Sequence, residues 1–238
     1  MSVIQNLDFA KAWKELLPKL LGQALEIVLL VTIVSFILAI IFGFILALGR
    51  LSRSKIINGI VIAFQELIRG TPLLVQLVYI YYVFPLLIEI IAYFFGNPNY
   101  KCNMSAVTAG IIGMTINYGT YISEVIRSSI LSIDKGQTEA ALALGFSPWQ
   151  AMYRIVIPQA LKNSIPVLGN YLLTLIKDTS LMAYITAPEF LQTTKAYTSQ
   201  TFLTIESYTI LALVYLVICL ASSFLIKFCE RKLNRHKH

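Results

Sequence analysis

The residues that could do chemistry are a few polar side chains set inside long apolar stretches. Glu66 and Arg69 stand three apart and directly precede Gly70-Thr71-Pro72. At i and i+3 they share a helix face and can pair with each other. Pro72 has no N–H and disfavours helical backbone at Thr71, which frees backbone polar groups beside the two charges. Gln76 adds an amide a few residues on. Lys177 and Asp178 are a second charged pair, but adjacent residues on a helix point about 100° apart, so they cannot both face one spot. Asn117, Asn170 and Tyr171 are further polar candidates, and Glu124 with Arg127, again i,i+3, reads as a structural ion pair. Bond-making chemistry finds no support: there is no His pair, Ser/Lys dyad or metal cluster, and no Gly-x-x-x-x-Gly-Lys-Ser/Thr phosphate loop. Cys102, Cys219 and Cys229 are scattered and odd in number, which supports neither a disulfide framework nor a zinc site. His236 and His238 belong to a basic tail.

The elements that must position these residues are membrane helices. Of 238 residues, 57% are hydrophobic and 13% charged, and mean hydropathy is +0.73. Most of the chain cannot be water-facing surface, so the expected class is all-α integral membrane protein. The N-terminus is polar and mixed in charge, and the apolar run 25–48 is too long for a cleaved leader, so the first helix is expected to be retained. A crossing takes about 20 apolar residues; segments 24–48, 56–92, 105–126, 160–182 and 207–227 qualify, giving five. Twelve Lys and Arg fall in the loops on one side and five on the other, with Arg69 and Lys177 inside the membrane. The positive-inside rule then puts the N-terminus out and the C-terminus in. Topology and anionic lipid account for the net charge of +7 without a nucleic-acid partner. The chain divides into an extracytoplasmic or interfacial helix at 1–23, a membrane domain at 24–227 and a basic cytosolic tail at 228–238. Both loops flanking 56–126 are basic, so that stretch holds an even number of crossings. The excess length of 56–92 then calls for a break, a tilt or an outward extension, with Pro85 a candidate kink. No internal repeat or inverted symmetry is visible.

Glu66 and Arg69 lie 10 and 13 residues past Ile56, about 15–20 Å along a helix. That is near mid-bilayer, where a charge costs at least about 2.5 kcal/mol and should face a partner or a wet cavity. The cytosolic loop 134–158 is different in kind. Gln137 to Leu144 is rich in helix-forming Ala and Leu, and Gly145 follows where a left-handed cap belongs. Ser147, Pro148 and Gln150 read as N-cap, N1 and N3 of a second helix, a capping box with proline in its favoured slot. That helix is expected to run until Pro158 interrupts it. The unit is short, tethered at both ends and not notably basic, so a DNA-binding helix-turn-helix is disfavoured.

Glu139-Ala140-Ala141, then Gly145, then Ile155-Val156-Ile157-Pro158 resembles the EAA loop of binding-protein-dependent ABC importer permeases, with Ile157 where Leu is common. Arg69-Gly70-Thr71-Pro72 resembles a segment of the polar amino-acid branch, the histidine, glutamine, arginine and cystine type. Asn117-Tyr118-Gly119, Gln159-Ala160 and Gly169-Asn170 extend the likeness over roughly residues 16–230. The resemblance implies a type I ABC importer permease fold in the bacterial plasma membrane. It implies pairing with a second copy or a sister permease around a central pathway. Two cytosolic ATPase subunits would bind the ATP and Mg that this chain does not, and an extracytoplasmic binding protein would deliver an amino acid. It also implies a coupling helix, with Glu139, Ala140, Ala141, Gly145 and Pro158 at the ATPase contact. Several relatives that carry basic amino acids have an acid directly after the Gly-Asn pair. Tyr171 stands there in this chain, which favours a neutral polar amino acid or cystine. The competing reading is a stand-alone ion-coupled carrier or channel using Glu66, Glu124 and Asp178; such a protein has no use for an ATPase dock.

Overall fold

Asp8 opens the first helix: its carboxylate accepts the Lys11 N–H at 2.8 Å, and α1 runs Phe9–Lys19 in the computed structural model, which describes residues 7–234. A π-helical turn, Leu20–Ala24, follows and bends at Gly22 (φ −88°, ψ −120°) before α2, Leu25–Arg50. The Ser54 hydroxyl caps α3, Lys55–Arg69. Next come α4 (Leu73–Val78), a π turn (Tyr79–Val83), α5 (Phe84–Phe94) and α6 (Ala106–Leu131). The helical pair is α7 (Lys135–Ala143) and α8 (Pro148–Ala151), and a π turn (Met152–Val156) leads into α9 (Ile157–Asp178). A 3₁₀ segment (Thr179–Ile185), α10 (Phe190–Thr201) and α11 (Thr204–Asn234) complete the described chain, in which every regular element is helical. The outer parts of the segments 1–23 and 228–238, including His236 and His238, lie outside the described residues.

Phe9–Arg50, Leu73–Phe94 and Thr204–Phe228 are long and apolar enough to cross a membrane. The expected spans 105–126 and 160–182 correspond to α6 and α9, of 26 and 22 residues. Their length suffices at 1.5 Å per residue. They are less apolar because they carry Asn117, Glu124, Asn170, Lys177 and Asp178.

One of the outcomes expected for the overlong segment 56–92, a break, is found, and one proline expectation is corrected. Segment 56–92 is broken at Gly70–Pro72, where Gly70 stays near-helical and Pro72 turns extended (φ −63°, ψ 139°). The side-chain amide of Gln76 donates to the Thr71 carbonyl and hydroxyl oxygens at 3.1 and 2.8 Å, satisfying groups that the break exposes. Pro158 does not end the second helix of the pair. It is the second residue of α9 and stands two residues beyond the π turn at Met152–Val156; Pro85 stands two beyond the π turn at Tyr79–Val83. A proline ring collides with the carbonyl four residues back in a regular α-helix. One widened turn moves that carbonyl away, so the helix continues.

The chain resolves into two compact units. The first comprises Met1–Phe36, Thr71–Met114 and Leu173–Ser222. Its core joins Leu16, Leu20 and Val28 of the N-terminal helices to Phe190, Tyr197, Ile210 and Val214. The second comprises Ile37–Gly70, Thr115–Leu172 and Ser223–His238. In it α2 and α6 meet backbone to backbone: a Cβ on Gly43 would lie 2.8 Å from the Gly119 carbonyl oxygen and 3.0 Å from the Ser123 nitrogen. Small residues at such a crossing are how apolar helices approach closely in a membrane.

Candidate functional site

The second unit holds two candidate sites, one in the helical pair and one between α3, α6 and α9. In the pair, the Asp134 carboxylate accepts the Gly136 N–H at 2.6 Å and starts α7. Gly145 is left-handed at φ +85°. Its N–H donates to the Leu142 carbonyl at 3.0 Å, and the Phe146 N–H donates to the Ala141 carbonyl at 3.1 Å. That crossed pair of bonds is a Schellman cap. The capping box at Ser147 is complete: Gln150 N–H to the hydroxyl at 3.3 Å, Ser147 N–H to the Gln150 side-chain oxygen at 2.9 Å. Thus both ends of the four-residue joint are fixed by local hydrogen bonds.

Glu139, Ala140, Gly145 and Pro158 are exposed, whereas Ala141 is buried, as is Ala151. Ala141 therefore holds the pair together and presents no side chain outward, a correction to its expected place at a contact. What the pair does present is apolar: Leu144 is 79% exposed, Trp149 66% and Tyr153 64%. Clustered exposed apolar side chains mark interaction surfaces. Leu144, Trp149 and Tyr153 were missed in the sequence because the pair was read for caps and helix propensity; the signal was a Trp and a Tyr four apart in a helical segment outside the expected spans.

The second site centres on Arg69. Among the described residues it makes no ion pair with Glu66, which is exposed. Its Nη2 donates to the Thr120 carbonyl at 2.8 Å, and its guanidinium lies over the Tyr121 ring, 5.5 Å from the centroid. Its Nε is buried with no hydrogen-bond partner. Tyr171 of α9 stacks at a tilt on Tyr121 (6.3 Å between centroids) and edge-to-face on Tyr118 (6.2 Å). Gln65 donates to the Ser123 hydroxyl, and Thr120 and Ser123 donate to the carbonyls three residues back. Arg69, Tyr121 and Tyr171 are thus brought together, with Asn117 buried on the same helix and Asn170 exposed next to Tyr171. Gln65, Thr120 and Ser123 were missed in the sequence; the signal was the polar stripe Asn117, Thr120, Ser123 at three-residue spacing. Glu124 and Arg127 form the expected i,i+3 ion pair: the Arg127 Nη2 and Nε groups both donate to one Glu124 oxygen, Oε1, at 2.8 and 3.1 Å. Thr71, Gln76, Lys177 and Asp178 fall in the first unit; Lys177 is exposed and Asp178 half-buried.

The family model for the inner membrane component of binding-protein-dependent transport systems matches residues 39–235. The chain belongs to that family.

Among the relatives of this transport component is the L-cystine transport system permease protein TcyB of Bacillus subtilis (strain 168). It is 35% identical over 86% of this chain and 82% of its own length. The glutamine transport system permease protein GlnP of Escherichia coli (strain K12) is 31% identical over 95% and 98%. A solved crystal structure of an amino acid ABC transporter with histidines superposes with a TM-score of 0.80 at 32% identity, covering 95% of this chain and 99% of that one. The chain is accordingly a multi-pass inner-membrane transport component with a type I ABC permease-like fold. It is not itself an enzyme.

Proposed function

We propose that this chain is the membrane-spanning permease subunit of an ATP-driven importer for a neutral polar amino acid or cystine. It crosses the membrane five times, N-terminus out and C-terminus in, and works with a second copy or a sister permease. The helical pair within 134–158 is the coupling element that docks on cytosolic ATPase subunits, which bind ATP and Mg. The observation that carries this reading is the pair's surface: Leu144, Trp149 and Tyr153 exposed around a joint fixed by a Schellman cap and a capping box. A chain with no phosphate loop needs such a dock to be driven. Glu139 and Ala140 line its outward side, Gly145 sets the angle between its helices, and Pro158 joins it to α9.

Cargo delivered by an extracytoplasmic binding protein passes Arg69, Tyr121 and Tyr171, with Asn117, Asn170 and Glu66 nearby in sequence and fold. Thr71, Gln76, Lys177 and Asp178 are the further pathway residues. Arg69 offers a guanidinium without a carboxylate partner, suited to a substrate carboxylate. Tyr171 offers an aromatic face where a basic substrate would need an acid. The glutamine and cystine relatives agree with that choice.

The test is uptake by the permease reconstituted with its ATPases and binding protein. ATP-dependent uptake of glutamine or cystine that is lost in Glu139→Lys, and on deletion of 139–150, is expected. Uptake that persists in both variants and does not depend on ATP would refute the reading in favour of an ion-coupled carrier.

A further inference from the structure

Away from the Arg69 cluster, the first unit contains an open recess of about 310 Å³ between the end of α1 and the segment leading through α10. That is the lower end of the range of ligand pockets. Its wall includes Lys19, Thr186, Gln192, Thr193, Tyr197 and Gln200, set among the apolar Pro188 and Ala196. Thr186 is held left-handed at φ 61°, and Tyr197 is buried.

The electrostatics of the recess are one-sided. The Lys19 ammonium sits 5.5 Å from the centroid of the Tyr197 ring and makes no ion pair among the described residues. Glu15, one helical turn before it, is the natural partner at i,i+4. That carboxylate instead accepts the Tyr197 hydroxyl at 3.1 Å and is not part of the wall. The recess therefore presents one cation, held by an aromatic face, and several neutral donors, with no acid on its wall.

We propose that this recess is a socket for a carboxylate side chain, Asp or Glu, presented by the extracytoplasmic binding protein when it docks. The inference rests on the delivery reading above, which places both α1 and the α10 region outside the membrane. A free amino acid fits the recess by size but not by charge. It is a zwitterion, and nothing on the wall would receive its ammonium beside Lys19. A protein carboxylate brings its negative charge alone, satisfies Lys19, and leaves the two Gln amides and two Thr hydroxyls to bond its oxygens. At an exposed rim such a pair acts mainly on encounter rate and salt dependence.

The experiment measures association of the purified binding protein with the permease–ATPase complex in nanodiscs at about 50 mM and 500 mM salt, across which exposed charges become screened. Lys19→Glu should weaken association about three- to tenfold at low salt, with the difference shrinking at high salt. Gln200→Glu, which adds an acid to the recess without touching the Lys19–Tyr197 stack, should do the same; both variants are checked for a monodisperse complex with unchanged Tm. Equal association of both variants and the parent at low salt overturns the socket. Competition by millimolar free glutamine that depends on Lys19 would put a free carboxylate there and also overturns it. No association with the parent complex would sink the delivery reading, and the socket with it, which separates the two failures.

Discussion

Replacing Gly145 by alanine tests whether the joint of the helical pair depends on its backbone geometry. Gly145 has φ +85°, and no atom lies within 4 Å of where a Cβ would stand. A clash is therefore excluded, and the whole cost is that of holding an L-residue left-handed, about 1–2 kcal/mol. Gly145→Asn should cost less, because Asn tolerates this region. The bonds that report the cost are Gly145 N–H to Leu142 and Phe146 N–H to Ala141. If the cap opens 1–2 kcal/mol more easily, hydrogen exchange at those two amides should accelerate about 5- to 30-fold in the alanine variant. The asparagine variant should fall between it and the parent. Exchange in α2 and α6 should not change, since the joint is exposed and the cost is local. Under the proposed function, ATP hydrolysis should also couple less tightly to uptake. Identical exchange at both amides in the parent and alanine proteins would refute the argument that positive φ at Gly145 sets this joint.

Three further outcomes follow from the packing and the charges. Gly43→Ala places a Cβ 2.8 Å from a backbone oxygen that cannot swing aside; the α2–α6 crossing should lose about 1–3 kcal/mol, read as a lower Tm in detergent, and an unchanged Tm would contradict the contact. Glu189, between the last two expected spans, has its pKa raised from 4.5 to about 7, chiefly by burial, against the bonds it accepts from the Leu191 and Gln192 N–H groups and the Tyr215 hydroxyl and the attraction of Lys195. Between pH 4.5 and 7 the native state holds a proton that the unfolded chain has released, so stability falls as pH rises through that window, by about 3 kcal/mol in all. Glu189→Gln should flatten the Tm profile over pH 5–8, and an equal slope in both proteins would exclude the assignment. Arg69→Lys keeps the charge but loses the planar fork to Thr120 and the stack on Tyr121, which should lower Tm; with about 1.5–3 kcal/mol in a charged hydrogen bond from the guanidinium to a substrate carboxylate, apparent substrate affinity should also drop about tenfold or more, and retained affinity would remove Arg69 from the pathway.

Local signals in the sequence were enough for the helical class, the caps of the pair and the family, because each is written in a few adjacent residues. Gly145, Ser147 and Gln150 announce their hydrogen bonds by type and spacing alone. The second site was only half legible. Glu66 and Arg69 at i and i+3 suggest a pair, yet Arg69 finds a carbonyl and a ring on α6, partners some 50 residues away that no local pattern names. Ala141 and Ala140 are chemically the same, and only the packing of the pair decides that one is buried and the other exposed. Gly119 could be quoted from a family likeness, but its reason, that a Cβ there would stand 2.6 Å from the Phe42 ring of α2, belongs to three dimensions.

Pro158 shows best how a sequence rule can be sound and its consequence still wrong. Proline cannot sit in a regular α-helix without removing a hydrogen bond and striking a carbonyl, so an ending at Pro158 is the natural inference. A single π turn offers a third option, an unbroken helix with one residue inserted in its winding, and Pro85 uses the same device at the same two-residue offset. The difference bears on mechanism. A chain end or flexible break at Pro158 would isolate the helical pair from the membrane. A continuous helical run from Pro148 to Tyr171, with the π turn at Met152–Val156 and Pro166 inside α9, spans about 36 Å at 1.5 Å per residue and joins the Gly145 joint to the ring that stacks on Tyr118 and Tyr121. Under the proposed coupling role, a push on Trp149 has a helical path to the residues proposed to meet the cargo, a push on Glu139 reaches that path through the hydrogen-bonded joint at Gly145, and the proline that stands on the path as a bending point is Pro166, inside α9.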